Sequence, residues 1–139
     1  MPEHRTPQWH PISALPMIGH AIDGMFASAE DVYQSLQQAR PRPHVLDDYT
    51  IGRVREVHGM QLHDLWWYAA QLTRWQHVSP TPAQRRELDR LTQQLAALRR
   101  VLTASLALAE ALQAGTIEKV LAKDDVELAL EFLLGKRNP

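Results

Sequence analysis

Seven histidines and no cysteine stand in this chain of 139 residues. The missing thiol excludes disulfides, thiolate nucleophiles and cysteine-ligated zinc. Histidine and carboxylate remain as metal ligands, and ligands on one helix must stand three, four or seven residues apart to share a face. His20 and Asp23 have that spacing, but both project away from the apolar face of Ile18, Ile22 and Met25. His58 and His63 are five apart and diverge, and His63-Asp64 reads as a solvent-side pair. No His-Glu-x-x-His occurs, nor any Glu-x-x-His of the di-iron bundle type. No metal and no cofactor is expected.

Nucleophilic catalysis finds no better footing. There is no G-x-S-x-G turn, no Ser-His-acid set and no glycine-rich phosphate loop. The protein is therefore read as a non-enzyme. His58 is the most interesting titratable group, because it falls on an apolar seam. Aligning the helices about their turns places it near Ser28, Ala29 and Val101, with no carboxylate in reach. A polar group there sets register or oligomeric state, or lines a pocket with Gln61 and Tyr68. A core histidine without an acidic partner stays neutral.

The tryptophans suggest contact rather than chemistry. Trp66 and Trp67 are adjacent and cannot share one seam. Trp67 therefore lies off the core side, against the N-terminal arm, the tail or another chain. Trp9 caps the bundle end or anchors a partner. With Leu106 and Leu108 these residues form the candidate interface.

The elements that place these residues are legible as heptads. The stretch from Thr81 to Gly115 organises the rest, with an apolar repeat at Leu88, Leu91, Leu95, Leu98, Leu102, Ser105, Ala109 and Leu112. Thr81, Pro82 and Gln84 make a capping box with proline in the first turn. Gly115 is read as a left-handed terminator. A first helix, capped by Ser13 and carrying Pro16 in its first turn, repeats at Leu15, Ile18, Ile22, Met25, Ala29, Val32, Leu36 and Ala39. It stops before Pro41 and Pro43. A second, capped by Asp47 or Asp48, runs to about His77 on a seam of Ile51, Val54, His58, Gln61, Leu65, Tyr68, Leu72 and Trp75. Gly59 predicts a bend or break near His58–Met60.

The half from Val101 to Ala114 is apolar nearly all round and must be covered on every side. Thr116 can cap a short helix with Ile117, Val120 and Leu121. Asp124 and Glu127 open another that holds Val126, Leu128, Phe132 and Leu133 and stops at Gly135. These pieces are expected to fold back over Val101–Ala114. The prediction is an all-α, antiparallel up-down-up bundle of three long helices with coiled-coil-like packing. One or two short C-terminal helices follow, and residues 1–12 form an irregular arm before a single bundle domain, 13–139.

Net charge of −1 supplies no field toward nucleic acid, and acidic residues interrupt both arginine groups, so nucleic acid is not an expected partner. No apolar run is long enough for a membrane span and no signal-peptide core is present, which leaves the cytoplasm as the default location. The expected function is non-enzymatic: protein–protein interaction or self-association, as a homodimer or with a protein partner. The alternative is a bundle that binds a small molecule or metal near His58.

Overall fold

The computed structural model describes residues 7–134, and among them the regular structure is all helical. Helix α1 spans Leu15–Ala39, α2 Asp48–Gln76, α3 Pro82–Gln113 and α4 Ile117–Leu133. Single 3-10 turns precede α1 and α2, at Ile12–Ala14 and Pro43–Val45. Helix α3 is the centre. Its backbone approaches both α1 and α2 closely, while α1 and α2 stand farther from each other.

All eight positions of the α3 repeat are buried. At a period of 3.5 they form one stripe, which fills the angle between two partner helices. The other seams meet it: Leu15, Ile18, Ile22, Ala29, Leu36 and Ala39 from α1, and Ile51, His58, Leu65, Leu72 and Trp75 from α2. Each fully buried leucine contributes on the order of 1.5–3 kcal/mol. Side-chain pairs fix the directions. Gln76 bonds Asp89 near the α2–α3 turn and Arg55 bonds Gln113 at the far end, so α2 and α3 are antiparallel. Arg90 of α3 grips both carboxylate oxygens of Asp23 of α1, at 3.0 and 2.8 Å, while Leu36 shares a cluster with Ala109 and Leu112. Helices α1 and α3 thus run the same way, as an up-down-up order requires.

The caps explain the boundaries. Thr81 and Gln84 form the reciprocal capping box of α3, with Pro82 in its first turn. Asp47 caps α2 by accepting from the Thr50 amide at 2.7 Å. Ser79 closes the turn after α2 with a left-handed φ of 55°.

Several expectations need correction. Ser13 does not cap α1: it lies inside the 3-10 turn, and the position before Leu15 is Ala14, with no side-chain bond. Helix α2 runs unbroken through Gly59, because packing of the flanking seam outweighs the local glycine penalty. Gly115 is not left-handed. A Cβ there would meet the Pro43 ring at 2.8 Å, so the glycine serves close approach between two turns. Finally, one continuous helix follows α3, and Asp124 lies within it rather than starting another. Thr116 directly precedes this helix, and its hydroxyl donates to Asp48 Oδ1 at 2.7 Å. The stop at Gly135 lies outside the described residues, as do the side chains of Leu128 and Phe132.

Helix α4 also does not fold back over Val101–Ala114. Its attachments lie at its start. The Ile117 amide donates to the Leu46 carbonyl at 2.8 Å, and Glu118 accepts from the Asp48 amide at 2.9 Å. Beyond that first turn, Leu121, Val126, Leu130 and Leu133 are exposed.

Candidate functional site

Three places bring functional side chains together. The first is a polar layer in the core. One apolar cluster includes Ala29, Leu65 and Leu102, and a second holds Leu36, Ile51, Ala109 and Leu112. His58 lies midway between Leu65 and Ile51 on α2, and Ser105 midway between Leu102 and Ala109 on α3. Both are buried, and among the described residues His58 Nδ1 and Ser105 Oγ have no hydrogen-bond partner. The layer therefore separates the two clusters, one turn farther along α1 than the turn-based alignment with Ser28 implies. Desolvation holds the His58 imidazole below the ordinary histidine value of 6.5. Its positive form would have to shed water without gaining a counter-charge.

His58 opens on a groove of about 240 Å³ where α1 and α2 stand apart, lined also by Val32, Arg53, Val54 and Val57. Val32 and Val54 are shared with a neighbouring groove of about 280 Å³ that reaches Leu36 and Leu46. Gln61 and Tyr68 do not join this set. Gln61 faces an outer groove beside Met60 and Asp64, and Tyr68 belongs to the aromatic group described next. Among the described residues, no three histidine or acidic side chains gather to hold a metal ion.

The second place is the N-terminal arm on α2. Residues 7–11 lack regular structure, yet they are held closely. Trp9 stacks on Trp67 with ring centroids 6.3 Å apart and planes 4° from parallel. The Arg74 guanidinium lies 4.5 Å from the centroid of the Trp9 ring. His10 and Tyr68 meet Trp67 edge-on. Below them, Gln71 Oε1 accepts from the His10 amide at 2.8 Å and Trp75 Nε1 donates to the His10 carbonyl at 2.9 Å. Each such bond contributes about 1 kcal/mol net, and aromatic and cation–π contacts add similar amounts. Trp67 is thus covered by the chain's own arm, whereas Trp66 is half exposed. Sequence reasoning missed Gln71, buried although off the heptad seam, and Arg74. Their signal was the row Trp67, Gln71, Trp75 at four-residue spacing, beside an arm with tryptophan between prolines.

The third place is the apolar surface at the far end. Leu106 and Leu108 are half-buried: Leu108 packs on the second core cluster, and Leu106 lines an outer groove with Gly52 and Arg55. The exposed apolar residues of α4 leave from this end. Comparison with family models, curated proteins and solved structures finds no match to this chain. Among the described residues, no helix is long and apolar enough to cross a membrane.

Proposed function

We propose that the protein is a non-enzymatic helical bundle that works by associating with other chains, in the first instance with a second copy of itself in the cytoplasm. The exposed apolar residues of α4 carry this reading. Leu121, Val126, Leu130 and Leu133, with Leu134 just beyond the helix, are each more than half exposed, and the helix is bonded to the bundle at its first turn. A helix with that much uncovered apolar surface gains by burying it against a partner. Half-buried Leu106 and exposed Trp66 extend the contact surface on the bundle itself.

The test is molar mass by light scattering on the wild type and on a variant with Leu121, Val126 and Leu130 changed to serine. The expected result is a wild-type dimer, and a variant monomer that keeps the helical signal of the bundle. A wild type that stays monomeric at every concentration, and that retains no partner, would overturn the proposal.

A second reading has its own support. The groove at His58 pairs an apolar lining with an unpartnered buried nitrogen, which suits a small molecule with one polar group. A ligand screen by thermal shift, repeated on His58→Leu, tests it. Hits that persist unchanged in the variant would remove His58 from that role.

A further inference from the structure

We propose that the row Trp67, Gln71 and Trp75 on α2 is a docking site for an extended peptide carrying tryptophan between prolines, and that the arm Pro7–Pro11 is its resident occupant. The row stands at intervals of four residues, so its members line one face of the helix. Each forms a hydrogen bond to the backbone of the arm. Trp67 Nε1 donates to the Gln8 carbonyl at 3.2 Å, Gln71 accepts from the His10 amide, and Trp75 donates to the His10 carbonyl. Any extended segment can present the same atoms at the same spacing. The tryptophan between them supplies selectivity, since its ring lies against Trp67 and within reach of the Arg74 guanidinium.

The flanking prolines fit the same logic. Pro11 has the φ of −67° and ψ of 159° of a polyproline segment. Proline brings no amide hydrogen needing a partner and loses little conformational freedom on binding. Gln71 and Trp75 are almost fully buried, at 1% and 2% exposure, and these hydrogen bonds go to the arm. A departing arm would uncover both groups together with the Trp67 ring, so the vacated face offers the same apolar and hydrogen-bonding surface to another segment. The site lies at the opposite end of α2 from the attachment of α4, and it stands apart from association through α4.

The experiment uses the full chain with Trp9→Ala, which withdraws the competing ring, and a fluorescein-labelled Pro-Gln-Trp-His-Pro peptide followed by anisotropy. The variant is expected to bind at least ten-fold more tightly than the wild type, and the double variant Trp9→Ala/Trp67→Ala to lose binding. No saturable binding to a folded Trp9→Ala chain would overturn the proposal. Hydrogen exchange on the wild type tests it even where that variant fails to fold. The His10 amide and the indole N–H of Trp75 should exchange much faster than the amides of α3. Exchange as slow as α3 would make the arm a permanent part of the core and overturn the proposal. A concentration-dependent wild-type dimer that Trp9→Ala abolishes would give the site to the arm of a second copy and overturn the assignment to a partner peptide.

Discussion

Residue identity matters most where the seam stops being apolar. His58 and Ser105 bury polar atoms without partners, and each such atom costs about 1–3 kcal/mol. The His58 imidazole also couples the fold to pH. Its folded value is lowered from 6.5, so the unfolded chain binds the proton more readily and protons favour unfolding. Its contribution is complete above the ordinary histidine value and is lost as pH falls from 6.5 toward the lowered folded value. His58→Leu should therefore raise stability by about 1–3 kcal/mol and flatten the loss of stability across that window, as read by urea unfolding from pH 7 to pH 5. Asp23 and Glu87 answer in a lower window. Hydrogen bonds from Arg90 hold both carboxyls below their ordinary values of 3.8 and 4.5, so their contribution disappears only as pH falls below those. His58 was legible in the sequence because the heptad named its position. Gln71 was not, because its burial depends on an arm without periodicity.

At the scale of elements, the three long helices and the N-terminal caps of α2 and α3 were readable because period, capping box and proline signals agree. What failed were local rules taken singly. Gly59 suggested a break, and Gly115 a left-handed stop, yet the first sits in open space within an unbroken helix and the second against Pro43. The two glycines should therefore respond oppositely to alanine. Gly59→Ala gains helix propensity and should stabilise by up to about 1 kcal/mol. Gly115→Ala forces the Pro43 turn and the start of α4 apart and should cost about 1–3 kcal/mol. Thermal melts of the two variants, a few degrees apart in opposite directions from the wild type, decide this. Thr81→Ala removes one side of the α3 box and should cost about 1 kcal/mol.

For the molecule as a whole, stability should be graded from one end to the other. The larger core cluster lies with the arm and the α2–α3 turn, and the smaller one with the loose α4 end. In a single chain whose α4 is uncovered, hydrogen exchange should be slow around Leu88–Leu98, intermediate around Ala109 and fast along α4 past Leu121. Equal protection along α4 and α3 would mean that a partner chain covers α4 in solution. Such tertiary docking was the least legible level, since amphipathic periodicity says that a face is buried but not which chain buries it. The central place of α3 has one more consequence. Because α1 and α2 lean on α3 more than on each other, a hairpin of the first two helices lacks its common support. On a ribosome, α1 and α2 therefore emerge long before the surface that completes them. The nascent chain must hold two amphipathic helices unfinished until residues near Gln113 clear the exit tunnel.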